Sequence, residues 1–237
     1  MALLNYQEVP DNWEAFFTEQ LTAGLPEALQ SFYLQPLVKA QQTLQEINFV
    51  ALDIETTGLN AQTDDIVSIG IVPFDVHRIY LAKAKHWVVR PRKLTSESVV
   101  IHGITHSEVA EAPSFRSVLP EILKQLQGKQ VVVHYRYMER EFFRKAVINL
   151  FEQNCLFPVI DTLELEANVL LKKRTLLDRI LKRTMPSLRL LNVRERYNLP
   201  AYENHNALVD ALATAELLQA QIAKQHWLEK NVRDFWL

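Results

Sequence analysis

Ile47-Asn48-Phe49-Val50-Ala51-Leu52-Asp53-Ile54-Glu55-Thr56-Thr57-Gly58-Leu59 is an apolar, β-branched run that breaks into two acids and a tight turn. Ile47 to Ile54 is too short for a core helix and is read as a buried strand. Working outward, Ile66 to Phe74 forms a second such run and Ile79 to Val89 a weaker third. Val131 to Val133 is a short fourth, and Val159-Ile160 begins a fifth. Helical spacing separates the later strands, at Phe115–Gln127, Tyr137–Glu152, Leu163–Leu171, Leu188–Tyr197 and Ala207–Lys224. Three strands followed by alternating helices and strands predict an α/β or α+β sheet with helices on its faces.

Upstream of that strand the pattern is helical. Trp13, Phe16, Phe17 and Leu21 fall on one helix face, with Asp11 placed to cap it. A second helix is expected from Pro26 through Leu44, bent or broken at Pro36. The aromatics here read as packing rather than as a binding site. The expected organisation is a helical extension over 1–46, a main domain over 47–224 and a tail over 225–237.

Composition narrows the class. Of 237 residues 48% are hydrophobic and 23% charged, ordinary for a globular core. A single cysteine, Cys155, rules out an internal disulfide and a cysteine-rich zinc site. The first twenty residues do not read as a secretory signal, and no apolar run approaches the ~20 residues that span a bilayer. No membrane contact and a reducing, cytoplasmic setting are therefore expected. The net charge of −2 excludes a strongly basic nucleic-acid coat. Locally, nine Lys or Arg between Lys172 and Arg196 face only Asp178 and Glu195. That density suits either a solvated helix face or a contact to a phosphate backbone.

The chemistry lies in the acids. Strand side chains alternate faces, so Asp53 and Glu55 point the same way at a strand end. Two carboxylates so placed repel unless a cation neutralises them, and hard oxygen ligands suit Mg²⁺ or Mn²⁺. Solvated loop carboxylates would show the same short pattern. Asp210, five residues after His205, shares a helix face with Ala207, Ala213, Thr214 and Leu217. A carboxylate on that face is either bound to metal or hydrogen-bonded to backbone. Glu139 opens a helix with Phe142, Phe143, Ala146 and Leu150 on its core-facing side, whereas Glu141, followed by Arg144 and Lys145, reads as solvated.

Five ordered blocks then resemble the DnaQ-like, DEDDh-type 3′–5′ exonucleases over about residues 47–224. They are Phe49 through Leu59, His102-Gly103-Ile104-Thr105, His134 through Phe143, Ile160-Asp161-Thr162, and His205 through Ala211. The resemblance implies a ribonuclease H-like fold, a five-stranded mixed sheet flanked by helices. It implies two Mg²⁺ ions, with Mn²⁺ able to substitute, held by Asp53, Glu55, Glu139 and Asp210, and His205 as the base that takes a proton from water. Thr56, Thr57, Gly58, Leu59, Glu97 and His102 match residues that hold the terminal nucleotide. The implied substrate is a single-stranded DNA or RNA 3′ end, cut to nucleoside monophosphates. Two departures stand out: Glu139 where the family usually has Asp, and Tyr135 where it usually has Asn. They motivate an alternative, a catalytically impaired binding module of the same fold. A third reading is a proofreading-type subunit recruited to a protein partner through the N-terminal helices. His134 is expected to close a strand-to-helix turn, Asp161-Thr162 to cap a helix, and His77, His86 and His106 to lie on the surface.

Overall fold

A computed structural model describes residues 9–22, 24–92, 104, 106–175, 184–202 and 206–237. Five strands form one mixed sheet: β1 Phe49–Thr56, β2 Ile66–Phe74, β3 Lys85–Val88, β4 Gln130–Val133 and β5 Val159–Asp161. Their spatial order is β3-β2-β1-β4-β5. The first three are antiparallel neighbours, while β4 and β5 run parallel to β1. This is the five-stranded mixed sheet that the sequence implied. The helices are α1 Trp13–Gln20, α2 Glu27–Leu34, α3 His106–Glu111, α4 Phe115–Leu126, α5 Arg136–Phe151, α6 Thr162–Lys173, α7 Leu190–Arg196 and α8 Ala207–Gln225.

Period-two alternation along β1 divides the core. Val50, Leu52 and Ile54 face a cluster that includes Leu119 and Ile122 of α4 and Phe142, Phe143 and Val147 of α5. Phe49 and Ala51 face the other way, against Ala211, Ala215, Leu218 and Ile222 of α8. Asp53 and Glu55 continue that second face beyond its apolar part, so the side of the sheet covered by α8 turns acidic at the end of β1.

The segment before β1 packs on the sheet domain. Trp13, Phe17, Leu29, Phe32 and Tyr33 are buried in the same cluster as Val50 and Phe143. Tyr33 donates its hydroxyl to the Leu156 carbonyl at 3.2 Å and accepts from the Leu156 amide at 3.0 Å. The aromatic side chains are thus used in packing, as expected. At the other end, Trp236 donates to the Gln130 side chain at 2.6 Å, and the Leu237 amide reaches the Val159 carbonyl at 3.1 Å on β5.

Several sequence boundaries need correction. The second helix stops at Leu34 rather than reaching Leu44. Gln35, just before Pro36, takes an extended ψ of 135°, because a proline's ring disfavours helical backbone in the residue before it. Asn12, not Asp11, caps α1, accepting from the Ala15 amide at 3.0 Å. The third strand shrinks to Lys85–Val88, because Leu81–Lys83 winds into a 3₁₀ turn.

If α2 belongs to the cooperative core, Tyr33→Phe leaves the buried Leu156 amide and carbonyl without that partner. It should cost about 1–3 kcal/mol. Urea unfolding followed by far-UV circular dichroism and by tryptophan fluorescence should show one shared, shifted transition. An unshifted midpoint would separate α2 from the core.

Candidate metal centre

Three elements converge at the end of β1. Asp53 lies opposite Gly70 and Glu55 opposite Ser68 on β2, and the register slips between Glu55 and Thr56. Such a bulge re-aims side chains at the end of a strand. Asp210 comes from the first turn of α8, whose cap Asn206 accepts from the Leu208 and Val209 amides. Glu139 comes from the first turn of α5. Asp53, Glu55 and Asp210 each offer an oxygen, and these atoms lie within 4.8 Å of one another.

Gly70 makes this convergence possible. A Cβ built there would stand 2.1 Å from the Ala207 carbonyl oxygen, and Ala207 is the first residue of α8. Only a residue without a side chain lets the helix start directly on β2. One turn later the same helix delivers Asp210 beside Asp53.

The cluster is electrostatically uncomfortable alone. Crowding away from water raises the Asp53 carboxyl well above its ordinary range, and the charges of Glu139, Asp210 and Glu55 raise it further. Glu139 is only 4% exposed and is also pushed well up, first by burial, with Asp161 adding to it. Its Oε2 is buried without a hydrogen-bond partner among the described residues. Convergent carboxylates and an orphaned buried oxygen are what a hard divalent cation would satisfy.

The family model described as Exonuclease matches residues 50–218. The chain belongs to the DnaQ-like exonuclease family. It is 34% identical over 176 residues to a PolC-type DNA polymerase III of Thermotoga maritima, an alignment covering 74% of this chain and 12% of that protein. It is 30% identical over 146 residues to the DNA polymerase III subunit epsilon of Haemophilus influenzae, covering 56% of each. The chain therefore spans only part of these relatives. Among solved structures, cell-death related nuclease 4 superposes with a TM-score of 0.62 at 20% identity, covering 75% of this chain and 64% of that one. E. coli exonuclease I in complex with a dT13 oligonucleotide gives 0.59 at 18%, covering 78% and 42%. Those two likenesses concern the fold.

Around the acidic centre of this DnaQ-like family member, other predicted residues find places. Thr56 donates to the Gly58 carbonyl at 2.6 Å, closing the turn after β1 and leaving the Leu59 side chain 86% exposed. A Cβ at Gly58 would meet the Asp64 carboxylate at 2.5 Å, so that side chain would have to shift to admit one. Asp161 caps α6 through the Leu163 amide and also accepts from the Tyr135 and Arg136 amides, so it anchors the turn into α5. His134 bridges Thr162 at 2.8 Å and the Leu188 carbonyl at 2.9 Å, the turn-closing role expected. Tyr135 sits at φ 93°, a left-handed backbone that suits Asn far better than Tyr. Glu97, His102 and His205 lie outside the described residues, as does the His106 side chain.

His86 is exposed on β3, the surface position expected, with its Nε2 2.7 Å from the Ser68 hydroxyl, and partial desolvation lowers its pKa against the opposing pull of Glu55. Two readings of the sequence are overturned. Glu141 is not a solvated acid but a largely buried partner of Arg144 at 2.8 Å. Within the basic stretch, Arg194 is neither solvent-facing nor free. It is 2% exposed, bonded to the Ala213 and Pro200 carbonyls and to Glu216, and Arg196 pairs with the buried Glu166. Gly70 was the residue missed, although a glycine inside a strand two residues from Ser68 is a sequence-level sign of close backbone approach.

Gly70→Ala should push α8 off β2, destabilising the fold by about 1–3 kcal/mol. Its dissociation constant for Mn²⁺ should rise at the same time. Denaturation and calorimetric titration read the two effects, and native metal affinity in the variant would refute the positioning role. A second expectation follows from the raised Asp53. In the metal-free protein its ionised form is disfavoured by folding, so this residue's contribution is favourable at acid pH. That contribution is lost as pH rises above about 3.9, the unfolded value, through the higher folded value. Asp53→Asn should therefore raise Tm in EDTA at neutral pH, with the advantage shrinking toward pH 4, and abolish stabilisation by added metal. Equal Tm values at both pH values would remove the electrostatic account.

Proposed function

We propose that this protein is a metal-dependent 3′–5′ exonuclease that releases nucleoside monophosphates from single-stranded 3′ ends, acting in the cytoplasm. The observation that carries this reading is the meeting of Asp53, Glu55 and Asp210 within 4.8 Å, beside the unpartnered buried oxygen of Glu139. Family membership and the epsilon-subunit relatives support it. Asp53, Glu55, Glu139 and Asp210 are the residues that would hold two Mg²⁺ ions, with Mn²⁺ able to substitute. Such ions supply charge neutralisation at the phosphate and acidify the attacking water.

The chain's own groups have distinct tasks in this reading. His205, five residues before Asp210, takes a proton from the attacking water through a neutral imidazole. The Thr56–Leu59 turn receives the terminal nucleotide, with the exposed Leu59 side chain offering an apolar face to its base. Glu97 and His102 complete the grip on the 3′ end. The relatives named as polymerase III chains favour a second setting for the same chemistry, beside a polymerase as a proofreading nuclease.

Matched, 5′-labelled DNA and RNA oligomers incubated with Mg²⁺, Mn²⁺ or EDTA decide the reading. Metal-dependent ladders shortening from the 3′ end are expected, and binding without turnover would instead support the impaired module. Within that assay, Glu139→Gln should lower turnover by roughly 10²-fold, the scale of losing one electrostatic stabiliser. Glu141→Gln breaks only an ion pair with Arg144 and should leave turnover within about twofold. The reverse order would reassign the fourth acid.

A further inference from the structure

Two of the nine cations visible in the sequence between Lys172 and Arg196, Arg194 and Arg196, are committed to contacts within the fold. Another set of guanidiniums is not. Arg90, Arg92 and Arg116 are exposed around a cleft of about 160 Å³ between the end of β3 and helices α4 and α5. Its floor is apolar, formed by Pro91, Phe115 and Leu150. The lining holds three guanidiniums against one carboxylate, Asp65, in a chain whose net charge is −2.

The three arginines are held differently. Arg92 grips Asp65 with its Nη2 at 2.7 Å and its Nε at 2.9 Å, so that pair is neutral. Arg116 donates to the Leu150 carbonyl at 2.7 Å and stacks over Phe151 at 4.9 Å; neither contact neutralises its charge. Arg90 is fixed by its backbone, its amide donating to the Pro113 carbonyl at 2.9 Å. Its side chain has no hydrogen bond or ion pair among the described residues. Among the described residues, two positive charges therefore remain at the rim without an anion.

The cleft adjoins the turn that follows β1. Asp65 is tied into the turn that follows β1, since the Thr57 amide donates to the Asp65 carbonyl at 2.9 Å and the Asp65 amide donates to the Thr57 hydroxyl at 3.0 Å. One residue pair thus separates the arginine cleft from the turn at Thr56–Leu59. Resting on the exonuclease reading, we propose that this cleft binds the substrate strand on the 5′ side of the cut. Arg90 and Arg116 hold its phosphates, and a base lies on the Pro91–Phe115 floor. Cationic rims with aromatic or apolar platforms are how single strands are held without sequence preference.

The test separates this site from catalysis. Fluorescein-labelled oligothymidylates of about three and about twelve nucleotides, bracketing the usual site sizes for single strands, are titrated in EDTA and followed by anisotropy. The Arg90→Gln/Arg116→Gln double variant should bind the longer oligomer roughly tenfold more weakly. The shorter one should change by less than about twofold. The slope of log affinity against log salt should flatten by about 1.4, two phosphates at −0.7 each. Unchanged affinity and slope, equal losses for both lengths, or no binding of the longer oligomer by the parent protein would each overturn the proposal. Digestion of the same oligomer by the parent protein with Mg²⁺ reads the exonuclease assignment separately, so either can fail alone.

Discussion

The contact that everything else depends on is the seating of α8 on β2 at Gly70. A helix normally keeps about 10 Å from a sheet because side chains fill the gap. Here one position on the strand has no side chain, and the Ala207 carbonyl occupies the space a Cβ would need. The small residues Ala211 and Ala215 then follow the sheet surface toward Phe49 and Ala51, so the apolar half of the interface fixes the helix along its length. Asp210 has no freedom to retreat from Asp53 once that seating is made. Close approach also places the positive end of the α8 backbone dipole at the acids, which moderates their repulsion.

That geometry explains how a chain can carry four mutually repelling carboxylates at one strand end and still fold. Burial of the surrounding apolar residues on both faces of β1 holds the acids where they are, and the raised Asp53 and Glu139 carboxyls are the sign of the resulting strain. Protonation relieves it, and a divalent cation held there would relieve it at neutral pH. Folding and metal affinity would then be coupled through the same residues.

Period-two and period-3.6 patterns made much of this legible. The strand through Asp53 and Glu55, the core side of α5 and the face of α8 bearing Asp210 all follow from spacing alone, because each has an apolar neighbour set that admits one orientation. Features that depend on which elements meet were not legible. Nothing local to Gly70 says that a helix starting at Ala207 will land on it. His86 looks like any edge-strand histidine until β3 pairs with β2 and brings it to Ser68. Arg194 reads as one more surface cation until α7 and α8 close around it. The early end of α2 was readable from Pro36, but the apolar residues beyond it, Leu37, Val38 and Leu44, imitate a continuing helix while packing as extended chain and turn.

Asp161 shows why the number of acids near the centre does not define it. It stands at the end of β5, as Glu55 stands near the end of β1, and its charge reaches Glu139. Yet its oxygens are already taken by the amides of Tyr135, Arg136 and Leu163 and by the Arg136 guanidinium at 3.5 Å. A carboxylate saturated in this way anchors backbone and has little left to offer a cation. Glu139 has the opposite environment: apolar neighbours, a nearby like charge and an unpaired oxygen. Asp161 fixes the turn from which α5 starts, and so sets where the Glu139 side chain begins. The extra methylene of Glu relative to Asp then adds reach from a helix whose start is held by two backbone amides on Asp161. The departure from the family's usual Asp is thus met by a rigid base and a longer arm. The unusual left-handed Tyr135 is the backbone strain that this turn retains.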